Sequence, residues 1–437
     1  MPPKKRRAKP KPAPTRVSPH VSAQNAPVGP LQELPPEICS MVCGFLPQHD
    51  LAIAARISRT FRREAQRQLF HTVDLTGERA VWLWRWCIAI NWTTFLAPYV
   101  RALYVEVPDA DRFRLEMAPD ADRFLRALRK CTKVIDYRLT KVSGEAPYNC
   151  GLDCQWLLSE GRFRLTTLRN AYLTDSELTP VLARQQSDIR ILDLPALRLG
   201  SDWNSFPVPA GGLPHLVALG LDGTRAPRLL PAGRRLRRMQ LYGDFDVDLD
   251  HGYLTILGRF SDSMTALSLV HFKLFQLSKS LASLAEFLPN LVHLALNDVS
   301  KKDYLAIWAR HMFPQSNAAS AQPILDGIHL FHRLETLVLY TYHTAPRVFR
   351  DYSGDMQTPS MRAFGSSLLA RNPRLQQIHL GVFDLALAPK VLSPEELRRT
   401  RVCEVTCSLR RGNTAGEILV EDGIGFEFDR VSGFWDA

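Results

Sequence analysis

The sequence has no acidic residue before Glu33 and no apolar run long enough to cross a bilayer. The best candidate, AVWLWRWCIAI at 80–90, is short and contains Arg85. Its first residues are basic and proline-rich with no apolar segment behind them, so no secretory leader is predicted. The eight cysteines, Cys39, Cys43, Cys87, Cys131, Cys150, Cys154, Cys403 and Cys407, form no dense framework in a chain of 437 residues. A phosphate-cradling glycine loop, a nucleophile elbow and a metalloprotease helix motif are all missing. These absences predict a soluble intracellular protein that is not an enzyme and needs no cofactor.

Two further chemistries find little support. Cys150 with Cys154 and Cys403 with Cys407 have a spacing zinc can use, but neither pair has a second Cys or His pair near it in sequence. Idle or buried thiols are expected there, and no metal. His329 and His332 straddle the turn into a predicted strand and read as rim residues. A net charge of +11 looks like a nucleic-acid signal until it is located. Lys4, Lys5, Arg6, Arg7, Lys9, Lys11 and Arg16 carry seven of those charges, leaving only +4 for everything that follows.

Residues 1–30 hold Pro, Lys, Ala and Ser and almost nothing large and apolar, so they cannot repay the entropy of ordering and read as a disordered basic tail. Within it Lys4, Lys5, Arg6 and Arg7 with Lys9 resemble a nuclear-import signal, which would place the protein in the nucleus, the cytoplasm or both. A solvated tail with weak affinity for polyanions is the other reading.

Residues 31–70, LQELPPEICSMVCGFLPQHDLAIAARISRTFRREAQRQLF, read as three short amphipathic helices. The first starts at Pro35-Pro36, where a missing N–H costs nothing, and carries Ile38, Met41, Val42, Phe45 and Leu46 at three- and four-residue steps. Pro47 stops it. Asp50 is expected to cap the second helix, with Leu51, Ile53, Ala54 and Ile57 on it, and Ser58 the third, whose stripe is Phe61, Ala65 and Leu69. Forty residues bury too little surface to hide so many apolar side chains, which leaves either a docking face or a helical hairpin belonging to the protein's own core.

The order Leu34-Pro35, Glu37-Ile38, Phe45-Leu46, Asp50-Leu51, Ile57-Ser58 and Phe61-Arg62 resembles an F-box, the module that binds the Skp-family adaptor of cullin-RING ubiquitin ligases. Ile57 stands where valine is commoner and Phe61 where tryptophan is. The resemblance implies that Leu34, Pro35, Ile38, Leu46, Leu51, Ile57 and Phe61 hold the adaptor, and through it cullin.

Beyond residue 70 an apolar triplet recurs with fixed spacing: Val100-Leu103-Val105, Ile189-Leu192-Leu194, Leu216-Leu219-Leu221, Leu236-Met239-Leu241, Met264-Leu267-Leu269, Leu291-Leu294-Leu296, Leu334-Leu337-Leu339 and Leu375-Ile378-Leu380. Leu165-Leu168 is a weaker copy. The last two members of each face the same way on a strand, and helical segments such as 280–288 and 366–372 lie between several of them. Strand and helix alternating in this way resemble a leucine-rich repeat, implying an α/β solenoid over 71–400. Most copies lack the Asn or Cys of regular repeats, so an irregular horseshoe is expected; a doubly wound α/β sheet would also suit the alternation.

Polar segments at 314–323 and 341–360 are predicted surface excursions. A β-hairpin turning at Asp422-Gly423 is predicted to cap the far edge within 401–437. Trp82, Trp84, Trp86 and Trp92 are predicted to pack beneath the strand at 100–105.

These features predict a substrate receptor with no active site. Target reading is expected on the strand face between the leucines, at Asp193, Gln240, Ser268, His293, Ala295, Thr336, Tyr340, Gln377 and His379, for a target whose identity the sequence does not reveal. No membrane partner is predicted and nucleic acid is disfavoured. The rival reading is a nuclear, nucleic-acid- or chromatin-associated scaffold using the basic tail; a third is an F-box scaffold without ubiquitin transfer.

Overall fold

A computed structural model describes residues 34–107, 119–141, 156–173, 178, 182, 188–194, 213–222, 235–242, 251–270, 277–298, 327–343, 357–384, 403–412, 414 and 416–423. The basic tail with Lys4, Lys5, Arg6, Arg7 and Lys9, the segment 314–323, and Cys150 and Cys154 lie outside these residues. The chain divides at Leu69/Phe70 into two compact units.

The N-terminal unit is built on three helices, α1 (Pro36–Phe45), α2 (Gln48–Ala54) and α3 (Arg59–His71). Proline sets the boundaries of the first two. Pro35 is the N-cap of α1 and its carbonyl accepts from the Ile38 and Cys39 amides at 3.0 and 3.1 Å. Leu46 is extended at the C-cap, and Pro47, which cannot continue the helix, begins α2 by accepting from the Leu51 amide at 3.0 Å. Asp50 therefore does not cap α2 as expected; it lies inside the first turn, where its charge still favours the helix N-terminus. Ser58 does cap α3, its Oγ accepting from the Phe61 amide at 3.2 Å.

The C-terminal unit is a thirteen-stranded sheet whose strands lie in chain order without reversal. They are β1 (Thr72–Leu75), β2 (Ala102–Val107), β3 (Asp136–Lys141), β4 (Thr167–Asn170), β5 (Ile191–Leu194), β6 (Ala218–Asp222), β7 (Arg238–Tyr242), β8 (Ala266–Val270), β9 (His293–Asp298), β10 (Thr336–His343), β11 (Gln377–Asp384), β12 (Cys403–Arg411) and β13 (Ile418–Gly423). Strands β1 to β11 pair in parallel, and β11–β12 and β12–β13 are antiparallel. A doubly wound sheet needs a point where the strand order reverses, and there is none among the described strands.

All eight apolar triplets are buried. Leu103, Tyr137, Leu168, Leu192, Leu219, Met239, Leu267, Leu294, Leu337, Ile378 and Leu409 are register partners in succession, one continuous row across eleven strands. Helices α4 (Leu83–Trp92), α5 (Pro119–Lys130), α6 (Trp156–Ser159), α7 (His251–Gly258), α8 (Leu277–Phe287) and α9 (Gln357–Arg371) contribute Ile90, Phe124, Leu157, Leu257, Leu284 and Leu369 to the same core. Gly365 lets α9 approach β12, since a Cβ there would stand 2.5 Å from Leu409.

A backbone motif repeats with the strands. The carbonyl of the residue before each strand accepts two successive amides of the next one, at Arg101, Ile135, Thr166, Arg190, Val217, Arg237, Thr265, Val292 and Glu335. Shared acceptance of this kind lets the chain turn into each strand without leaving a polar group unpaired.

Several expectations for this unit change. Ile418–Gly423 runs back along Cys403–Arg411, with Asp422 and Gly423 as the last residues of β13 paired to Cys407 and Thr406, and the second run of the hairpin expected beyond them lies outside the described residues. Of the excursion expected at 341–360, residues 341–343 complete β10 and 357–360 open α9. Trp86 is buried and Trp84 half-buried, as packing residues should be, but Trp82 and Trp92 are exposed. Strands β1, β3 and β12 had no predicted counterpart, although Val134-Tyr137-Leu139 has the triplet spacing with a tyrosine in place of leucine.

Candidate functional site

The interior of the N-terminal unit combines four small residues with one leucine and one phenylalanine. Cys39, Cys43, Leu51, Ala54, Phe61 and Ala65 form its buried cluster, with Leu34, Leu46, Ala55 and Leu69 packed partly against it. On α1 the inward stripe is Cys39 and Cys43, one turn apart, and burial pushes the Cys43 thiol up from its ordinary pKa. The outward stripe is Ile38, Met41, Val42 and Phe45, at helical spacing. Phe45 is 86% exposed and Met41 61%. Ile53 on α2 and Ile57 just before α3 are exposed as well.

Polar contacts fix this arrangement from outside the cluster. Arg67 on α3 donates to the Ser40 hydroxyl on α1 and pairs with Glu64 at 3.1 Å, tying the third helix to the first. The Arg62 Nε–H donates to the Ala55 carbonyl at 3.2 Å, closing the α2–α3 turn. The helices are thus held by a thin core and a few side-chain clasps, leaving a face of large aliphatic and aromatic side chains in water.

The residues predicted to hold an adaptor divide into two groups. Pro35, Ile38 and Ile57 are exposed, and Leu34 and Leu46 are half-buried at the margin of the cluster. Leu51 and Phe61, at 5% and 3% exposure, are part of the unit's own interior; their side chains support the helices instead of offering contacts. Met41, Val42, Phe45 and Ile53 were read as helix-stripe residues only, yet they are among the most exposed apolar side chains here. Spacing offers a competing inner stripe on the same helix, Cys39 and Cys43 at i and i+4, and the packing selects it.

The second candidate region is the sheet face opposite the leucines. Asp193, Gln240, Ser268, Ala295 and His379, expected to point into solvent, are buried, and Thr336, Gln377 and His293 are partly buried. Tyr340 is in β10, and its side chain is outside the described residues. Asp193, Gln240, Ser268, Ala295 and His379 occupy one register row, and His293, Thr336 and Gln377 the row before it. Tyr242 links two members of this face: its hydroxyl donates to Asp193 Oδ1 at 3.0 Å and accepts from the Gln240 amide. The His379 Nδ1 is 2.8 Å from the Ser408 hydroxyl. Burial lowers the pKa of both His293 and His379 to about 4, so both rings are neutral at pH 7. Toward the first strands Asp136 accepts from the Tyr104 hydroxyl at 2.8 Å, and burial raises its pKa against the pull of Arg169 and Arg138.

His329 and His332 are exposed, in keeping with a rim position. Cys407 is buried on β12. Among the described residues no group of three or more His, Cys, Asp or Glu side chains is placed to hold a metal ion, and no helix is long and apolar enough to cross a membrane.

Against this geometry, the F-box-like family model matches residues 31–76, a stretch that takes in all three helices and the first strand. The chain therefore carries an F-box-like domain at its N-terminal unit. No curated protein sequence matches the chain.

Proposed function

We propose that this protein is the substrate-recognition subunit of an SCF-type cullin-RING ubiquitin ligase, docking a Skp-family adaptor through the F-box-like domain and an unidentified protein target through the C-terminal unit. The observation that carries the proposal is the outward apolar face of α1 within a matched F-box-like domain, since F-box domains generally bind Skp-family adaptors. Such a receptor does no chemistry; it raises the local concentration of a target near a ubiquitin-charged enzyme. On this reading Leu34, Pro35, Ile38, Leu46 and Ile57, together with Met41, Val42, Phe45 and Ile53, touch the adaptor, while Leu51 and Phe61 hold the face in shape.

The C-terminal unit is read as an irregular leucine-rich-repeat solenoid. In-order parallel strands, one apolar row and a recurring two-amide carbonyl at each strand entry support that reading. Asn170 has the character of a repeat-turn asparagine: buried, it donates to the Leu173 carbonyl at 2.9 Å and accepts from the Tyr172 and Leu173 amides. The nucleus, through the Lys4–Lys9 basic cluster, or the cytoplasm is the proposed location.

Each exposed anchor is worth about 1.5–3 kcal/mol of transfer free energy when buried in a complex. Met41→Ala with Phe45→Ala should therefore abolish co-purification of the adaptor and cullin while leaving the fold intact. Full retention of both partners by the folded double variant would overturn the proposal.

A further inference from the structure

Helix α4 in the C-terminal unit is apolar on two faces, and only one of them is used. Leu83, Trp86, Cys87 and Ile90 point into the core, with the Trp86 and Phe124 ring centroids 6.1 Å apart. Around the other side Ile88 and Trp92 are exposed, Trp92 at 85%, and so are Val81 and Trp82 just before the helix and Phe95 just after it. Arg85, Ile88 and Trp92 follow at steps of three and four along α4 and line one stripe, with Val81 and Trp82 in the turn just before the helix and Phe95 in the turn just after its C-cap at Thr93. A helix that is hydrophobic all round is ordinarily enclosed by its own protein. Exposed Trp and Phe rings clustered this way are the side chains that anchor protein interfaces.

The charge within the stripe has one sign. No Asp or Glu occurs between Arg79 and Val105. Arg85 lies over the Trp82 ring, 4.5 Å from its centroid, so a cation is built into the stripe itself. Lys130 of α5 is brought to its C-terminal end by Asn91, whose carbonyl accepts from Lys130 at 2.6 Å; the Asn91 side-chain amide donates to the Arg123 backbone carbonyl at 2.8 Å and ties α5 to α4. The neighbouring carboxylates are already engaged, Asp74 with Arg79 and Asp122 with Arg126.

We infer that the Val81–Phe95 surface is a docking surface for an acidic amphipathic helix of a partner protein, with apolar anchors seated on Ile88, Trp92 and Phe95 and carboxylates facing Arg85 and Lys130. The ten-residue α4 is about 15 Å long, which suits a partner helix of some three turns. This surface belongs to the C-terminal unit and does not depend on the adaptor reading. Helical apolar anchors supply the affinity in such pairs, and opposite charge supplies orientation and encounter rate.

The test uses the full chain and a fluorescent synthetic 18-residue helical peptide with leucines on one face and glutamates on the other. The same peptide with lysines for glutamates and phosphatidylserine vesicles serve as controls. The acidic peptide should bind in preference to the basic one. Ile88→Ser with Trp92→Ser should weaken it roughly 10-fold or more. Arg85→Glu, which removes no apolar anchor, should weaken it several-fold and flatten the salt dependence. Met41→Ser with Phe45→Ser should bind as the wild type does, whatever becomes of adaptor binding.

Equal binding of the two peptides, or unaltered binding by the folded stripe variants, would overturn the inference. So would loss of binding in the Met41/Phe45 variant alone. Vesicle binding without peptide binding would assign the stripe to a membrane surface, and self-association abolished by the stripe variants would assign it to a second copy of this chain; either result also overturns it.

Discussion

On the first helix of the N-terminal unit the small apolar side chains point inward and the large ones outward, whereas in the sheet every triplet leucine is sealed and the small and polar residues occupy the opposite face. The difference follows from size. Three short helices enclose a volume that Leu51 and Phe61 with two cysteines and two alanines fill, so Phe45 and Met41 stay outside. Thirteen strands with helices against them enclose one long cluster, and each added strand seals the leucines of its neighbour. An exposed large side chain therefore means different things in the two regions: in the first it is a consequence of a thin core, in the second a departure from a full one.

That contrast can be broken most sharply at Phe61. Phe61→Ala should cost about 3–5 kcal/mol, more than so small a unit has to spare, and should unfold residues 34–69 while the sheet stays protected. Hydrogen exchange of the two units reads this directly; equal loss of protection in both would mean they are not separate in stability.

Leu294→Ala, in the middle of the apolar row, should cost about 2–5 kcal/mol but spread its effect along neighbouring strands, leaving adaptor co-purification intact. Denaturant midpoints check the first part and pull-down the second.

A smaller effect belongs to pH. His293 and His379 have folded-state pKa values of about 4 against 6.5 unfolded, so the stability they contribute is present above pH 6.5 and is lost as pH falls from 6.5 toward 4. Asp136 works the other way, because burial raises its pKa and protonation favours its folded form. The wild type should lose stability over that window, and His293→Gln with His379→Gln should flatten the loss; superimposable melting curves at each pH would remove the two rings from the account.

The smallest expected effect is at Tyr242. Removing its hydroxyl with Tyr242→Phe takes one hydrogen bond from Asp193 and one from Gln240, for about 1–3 kcal/mol by thermal unfolding. A change near zero would show that other partners satisfy the buried carboxylate.

How much of this was readable in advance differs between the regions. The triplets at 100–105 and from 189 to 380 located the inward rows because a period of two in a strand leaves no choice of face once the leucines are buried. Tyr137 hid β3, since a large aromatic at a leucine position does not look like the same repeat. In α1 the periodicity offered two stripes, Cys39/Cys43 and Ile38/Met41/Val42/Phe45, and the more hydrophobic of the two was the outer one. The N-terminal match and the resemblance read from Leu34-Pro35 to Phe61-Arg62 agree on the domain, while the roles of Leu51 and Phe61 needed the packing.

By itself the sequence determined where α1 and α3 begin, through Pro35 and Ser58, and which residues of the triplet strands face inward, through spacing: both are local steric and periodic constraints that a chain carries with it. The tertiary structure alone decided which α1 stripe stays in water, that β13 returns along β12, that Trp92 lies outside, and that Asp193, Gln240 and His379 are enclosed. Those outcomes depend on how much volume neighbouring elements leave, and volume is a property of the assembled fold.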